Sequence, residues 1–200
     1  MLNIVIFGAP GSGKGTHSDL IKKKHNLTHI STGDLLRQEI KNETELGIIA
    51  KGFIDKGQLI PDDLICDILD KVLDTVKDSK GVIFDGFPRT IPQAEALEKI
   101  LHKRGIKVSV LLDLQVDEEE LVKRLLERGK ISGRSDDNEE TILSRLKVYH
   151  SQTEPLADFY KRKGKHVAIS GNGTIEEIFT RIDESLKQLT VDSLQFTVDS

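Results

Sequence analysis

The segment Gly8-Ala9-Pro10-Gly11-Ser12-Gly13-Lys14-Gly15-Thr16 places a lysine inside a run of glycines, directly after the apolar stretch Leu2-Asn3-Ile4-Val5-Ile6-Phe7. Glycines let successive backbone N–H groups point inward at phosphate oxygens without Cβ clashes, and a following helix N-terminus favours negative charge. Lys14 then supplies a point charge for the outer phosphates of a nucleotide. An ordinary glycine-rich turn leaves that lysine unexplained. Gly11, Ser12, Gly13, Lys14, Gly15 and Thr16 are thus candidate triphosphate contacts. The position after the lysine, usually a Ser or Thr for magnesium, is Gly15 here, and Thr16 comes one later. No Asn-Lys-x-Asp guanine-reading tetrapeptide occurs in the chain.

A second apolar run, Val82-Ile83-Phe84, ends in Asp85, where a carboxylate could hold Mg2+ and its waters. Read alone, Asp85 suits a helix cap or a turn equally well. Arg124 and Arg128 stand one helical turn apart and share a helix face. With Arg134 and Arg145 downstream, and Arg37 and Arg89 upstream, the chain carries cations suited to a reaction whose transition state spreads charge over phosphoryl oxygens. Arg124 and Arg145 would otherwise belong on solvent-facing helix surfaces. The six histidines show no metal-ligand spacing and none is assigned a role.

Elements must position these groups. Besides the first apolar run, Leu27 to Ile30, Gly81 to Phe84, Val108 to Leu112 and His166 to Ile169 read as strands separated by helical patterns. That alternation predicts an α/β fold with a five-stranded parallel sheet, helices covering both faces. Pro61-Asp62-Asp63 opens a helix with Leu64, Ile65, Ile68, Leu69, Val72, Leu73 and Val76 on one stripe, Pro61 in its first turn. Asp117 with Glu120, and Thr174 with Glu177, have capping-box spacing. The polar tail from Thr190 to Ser200 carries no long helical pattern and is expected to be a poorly ordered end.

The 200 residues suit one compact domain. With 37% hydrophobic and 31% charged residues the composition is that of a soluble globular protein. A net charge of -4 argues against a general nucleic-acid or anionic-membrane surface. No secretory leader or membrane-length apolar run is present, so a cytoplasmic protein is expected. Cys66, the single cysteine, lies on an amphipathic pattern and reads as a small hydrophobe; neither a disulfide nor a Cys-based zinc site is available.

Four ordered blocks, Gly8 to Thr16, Ser31 to Arg37, Asp85 to Gln93 and Arg124 to Arg145, resemble the nucleoside monophosphate kinases, above all the adenylate kinases with a short lid. The resemblance spans Met1 to Leu189. It implies a P-loop three-layer core over 1–189, with a monophosphate-binding flap at 31–60 and a lid at 127–137. It also implies Mg2+-dependent transfer of the terminal phosphate of ATP to AMP, giving two ADP, by a monomer without structural zinc. By the same resemblance Arg124 stacks on the ATP adenine, Arg128 meets the ATP phosphates, and Gly173 touches the donor base through its backbone. Thr32, Gln58, Leu59, Ile60 and Gln93 surround the acceptor base, and Arg37 and Arg89 clasp its phosphate beside Gly86, Phe87 and Pro88. Arg134 and Arg145 embrace the transferring group, and Asp34 assists Asp85 with the metal's hydration shell. The Phe87–Pro88 peptide is expected to be cis.

Gln93 and Thr32 favour AMP, because an amide offers one donor and one acceptor to an adenine edge. A UMP/CMP kinase remains the alternative within this class. A non-catalytic ATP-binding switch, or a nucleotide-hydrolysing one, lies outside it. An unprotected terminal phosphate would react with water, so flap and lid closure is expected before transfer, with Gly47, Gly52, Gly57, Gly129 and Gly133 as flexible points.

Overall fold

The computed structural model describes residues 1–76 and 79–195, with side chains described up to Leu189. In chain order the elements are β1 (Ile4–Phe7), α1 (Lys14–His25), β2 (Thr28–Ser31), α2 (Thr32–Lys41), α3 (Glu45–Ile54) and α4 (Asp62–Asp74). There follow β3 (Val82–Asp85), α5 (Ile91–Lys103), β4 (Val110–Gln115), α6 (Glu118–Ser132), α7 (Glu139–Val148) and a π-helical turn, Tyr149–Thr153. The chain continues through α8 (Pro155–Arg162), β5 (His166–Ser170) and α9 (Ile175–Gln195). All five strands are parallel, in the order β2-β3-β1-β4-β5. The five-stranded α/β expectation is met.

The apolar runs are continuous in sequence, yet the pleat divides them between two cores. Ile4 and Ile6 of β1 pack with Ile21, Ile83, Leu112, Ile178 and Ile182 on one face. Val5 and Phe7 pack with Ile30, Phe84, Leu97, Leu111 and Tyr160 on the other. A third cluster, Ala9 with Leu121, Leu125, Ile142 and Leu146, ties α6 and α7 to the loop after β1. Register completes the positioning: Ile6 pairs with Asp85, and Ser31 pairs with Asp85 from the other side. The carboxyl ends of β1, β2 and β3 therefore open together, at the place where ligands bind in sheets of this kind.

Several local expectations changed. Thr174 and Glu177 do form a reciprocal capping box, the Thr174 N–H donating to Glu177 Oε2 at 2.8 Å and the Glu177 N–H to Thr174 Oγ1 at 3.2 Å. Asp117 makes no cap hydrogen bond, because Asn172 Nδ2 donates to its Oδ2 and Glu120 accepts from Arg124 Nε at 2.8 Å. Pro61 is the N-cap residue of α4 rather than part of its first turn. The last helix runs on to Gln195 instead of stopping at Leu189; residues 196–200 lie outside the described residues. Cys66 is partly buried against the core, and burial with nearby acidic residues pushes its thiol up to about 11.

Of the five expected flexible glycines, Gly47, Gly52 and Gly129 lie inside helices. Gly47 and Gly129 are spacers: a Cβ on Gly47 would overlap the Glu39 carbonyl, and one on Gly129 would stand 2.7 Å from the Asp137 carbonyl oxygen. Gly57 and Gly133 have φ of 67° and 63°, where a side chain is disfavoured. Among the described residues no helix is long and apolar enough to cross a membrane.

Candidate active site

The loop from Gly8 to Gly13 folds over the end of β1 with φ of 140°, 89° and 91° at Gly8, Gly11 and Gly13. A Cβ on Gly8 would stand 2.6 Å from the Leu114 carbonyl oxygen, so the loop's curvature needs glycine there. Gly13 is the left-handed N-cap of α1 and carries no side-chain cap. Two consequences follow. Among the described residues no side chain caps the first N–H groups of α1, which have no intrahelical partner, and no acidic residue in that turn repels an anion.

Lys14 Nζ donates to the carbonyl oxygens of Gly8 at 2.7 Å and Ala9 at 2.9 Å. Burial pushes this ammonium down to about 7; Asp85 opposes the shift, while Arg89, Arg145 and Arg128 add to it. Burial and the Arg145 charge also lower Arg89, to about 10. Burial lowers Arg134 too, with Arg37 and Arg128 adding to it. Mutual repulsion of this kind marks a place short of negative charge, and an anionic ligand would relieve it.

These cations share one cleft of about 550 Å³ at the open strand ends. Its wall includes Gly11, Gly13, Lys14, Gly15 and Thr16 from the loop and α1, Asp34 and Arg37 from α2, Asp85 at the end of β3, and Gly86, Pro88 and Arg89 after it. Arg124, Arg128, Arg134 and Arg145 line the same cleft. A side pocket of about 70 Å³ brings Thr32, Gln58, Leu59, Ile60 and Gln93 together with Arg37, Gly86, Arg89 and Arg145. The Phe87–Pro88 peptide is cis, as expected. Arg89 is anchored by its Nε, which donates to the Gly86 carbonyl at 2.8 Å.

Not every expected residue reaches a wall. Ser12 and Phe87 are buried, and neither lines the cleft or its side pocket. Gly173 stands between β5 and α9, near Glu177 and Arg181, and lines neither as well. Asp34 lies in the cleft, where its carboxylate accepts from Arg37 at 2.6 Å.

Three neighbours have contacts here that the sequence did not assign to them. His29 Nε2 lies 3.3 Å from Asp85 Oδ2; it sits in an apolar run with no spacing signal. Asp136 and Asp137 hold Arg145, and Asp137 also holds Arg128. Their adjacency to Arg134 was the available signal. Asp85 presents hard carboxylate oxygen at the strand end, the donor chemistry Mg2+ takes. Among the described residues no group of three His, Cys, Asp or Glu could hold a metal. Asp85 could thus bind Mg2+ only with most ligands coming from phosphate and water, which is how Mg2+ is usually held beside nucleotides.

Comparison with known proteins agrees with this geometry. The adenylate kinase family model matches residues 6–165. The chain is 70% identical to an adenylate kinase of Parabacteroides distasonis over 189 residues, which is 94% of this chain and all of the relative. It is 66% identical to one of Bacteroides thetaiotaomicron over the same shares, and 59% identical to one of Porphyromonas gingivalis over 91% of this chain and 94% of the relative. The family model matches most of the chain and these relatives are covered almost end to end, so the chain belongs to the adenylate kinase family.

Proposed function

We propose that the cleft holds ATP and AMP end to end, and that this chain's own cations carry the ATP:AMP phosphotransfer of its family. The supporting observation is the convergence of Lys14, Arg37, Arg89, Arg128, Arg134 and Arg145 on one cavity. The triphosphate lies over the loop N–H groups and Lys14, with Arg124 against the donor base. AMP places its base in the side pocket by Thr32, Gln58, Leu59, Ile60 and Gln93, and its phosphate against Arg37 and Arg89.

An oxygen of the AMP phosphate forms the new bond to the terminal phosphorus of ATP while the bridging P–O bond breaks, and the electron pair leaves on ADP. That nucleophile is already ionised, so no protein base is needed. The arginines act by position: Arg128, Arg134 and Arg145 face the charge spread over the transferred oxygens. One such arginine lowers the barrier by about 4 to 7 kcal/mol in related chemistry. Mg2+, held by Asp85 through water, would neutralise phosphate charge; Asp34, engaged by Arg37, has at most an outer role. One chain supplies every group named, which supports a monomer, and a cytoplasmic location is proposed from the family resemblance alone.

A coupled ADP assay with ATP and each of AMP, CMP, UMP and GMP tests this. AMP should be preferred, and Lys14→Ala and Arg89→Ala should each abolish most of the activity. Preference for CMP or UMP would make it a pyrimidine kinase. Phosphate release without any monophosphate would make it a hydrolase.

A further inference from the structure

Gln93 is 2% exposed, and both ends of its amide are engaged. Its Oε1 accepts from the Arg89 backbone N–H at 2.7 Å, and its Nε2 donates to Asp62 Oδ1 at 2.7 Å. The other Asp62 oxygen accepts from the Thr90 hydroxyl at 3.1 Å. That hydroxyl in turn accepts from the Gln93 N–H at 3.2 Å as the N-cap of α5. Asp62 itself begins α4, directly after the flap, so its carboxylate links two helix N-termini.

Neither partner of the amide can change polarity. A backbone N–H only donates, and a carboxylate only accepts. A flipped Gln93 would set its NH2 against an N–H and its oxygen against a carboxylate, leaving buried groups unpaired. The amide therefore has one orientation. What it leaves free is the second lone pair of Oε1 beside the second N–H of Nε2, and Gln93 lines the side pocket. A 6-aminopurine matches that pattern, because its exocyclic amine donates and the adjacent ring nitrogen accepts. A 6-oxopurine presents the reverse order and would need the flipped amide.

We infer that Asp62 is a positioning residue that fixes the polarity of the Gln93 amide and so makes the acceptor site select 6-aminopurine over 6-oxopurine monophosphates. The inference rests on the proposed placement of the AMP base beside Gln93. Asp62 touches no substrate; it acts through Gln93.

The test is kcat and KM for AMP and for inosine monophosphate in the unmodified enzyme and in Asp62→Asn, Asp62→Leu and Gln93→Leu. An asparagine at 62 can present oxygen or NH2, so it removes one of the two constraints on the amide and leaves only the Arg89 N–H to oppose the flipped orientation. Asp62→Asn should lower the AMP-to-inosine ratio of kcat/KM roughly tenfold or more, the scale of one buried unpaired group. KM for AMP should rise while kcat at saturating AMP and KM for ATP hold. Asp62→Leu should lower the ratio further, and if it does not fold, Asp62→Asn decides alone. An unchanged AMP KM in Gln93→Leu would overturn the base placement itself. A raised KM there, with the ratio intact in the Asp62 variants, would overturn the role of Asp62 and leave the placement standing. Equal losses for both nucleotides would mean that Asp62 only supports the fold, which also overturns the inference.

Discussion

Asp137 takes the Arg128 guanidinium through two hydrogen bonds, Nε to Oδ2 and a terminal nitrogen to Oδ1, both at 2.7 Å, with its carboxylate wholly out of solvent. Arg145 donates to the same Oδ1 at 2.8 Å. One acid thus fixes two of the cations that face the cleft. Burial alone would raise its pKa, but the hydrogen bond and charge of Arg128, with the charge of Arg145, hold it below the ordinary carboxylate value.

Replacing that acid has a pH-dependent signature. The folded pKa is lowered, so the stability contribution is complete above the ordinary value of 3.8 and disappears as pH falls through the folded value. Asp137→Asn should destabilise the protein by about 2 to 3 kcal/mol at pH 7, less than a fully buried pair would, because Arg128 is partly solvated. Urea unfolding of both proteins should show curves that differ at neutral pH and converge in acid. The variant should also lose kcat, because Arg128 and Arg145 lose their common anchor.

Lys14 gives the opposite sign. Its folded pKa of about 7 lies below the ordinary 10.5, so between these values the unfolded chain binds more protons and stability rises with pH. The unfavourable contribution is complete below about pH 7. Lys14→Met should therefore raise the melting temperature of the nucleotide-free protein at pH 6.5, by about 2 to 4 °C per kcal/mol relieved. The gain should shrink towards pH 10, and phosphoryl transfer should be nearly lost. Calorimetry at three pH values checks it; a lower melting temperature at pH 6.5 would refute the account.

Gly47 separates α3 from the end of α2, and a methyl group there would overlap the Glu39 carbonyl and stand 2.7 Å from the Ile40 nitrogen. Gly47→Ala should loosen the α2–α3 hairpin at a cost of about 1 to 3 kcal/mol. Because this hairpin carries Thr32 and Arg37, KM for AMP should rise while KM for ATP stays the same. Amide exchange confined to α2 and α3 would confirm that the effect is local.

The capping box at Thr174 lies away from the cleft and serves as a stability control. Thr174→Ala removes the acceptor for the Glu177 N–H and should cost about 1 kcal/mol in chemical unfolding. Steady-state kinetics should match the unmodified enzyme. A kinetic change would mean that the β5–α9 connection, with Gly173, communicates with the donor base after all.

Glycine spacing around Lys14, apolar runs ending in charged residues and alternating helical patterns determined the sheet, its helices and most of the cleft wall, because these signals are local and obey backbone sterics and periodicity. Local signals failed where two candidate partners competed. Glu120 had capping spacing to Asp117, but a guanidinium one turn away made the better hydrogen bond. Gly47 and Gly129 looked like flexible points, and only the packing of neighbouring chain segments made them spacers. Tertiary structure alone decided that Asp62 meets Gln93, 31 positions away, and that His29 meets Asp85 across adjacent strands. Such pairings depend on strand order and helix docking, and those follow from burial of the whole chain rather than from any short stretch of it.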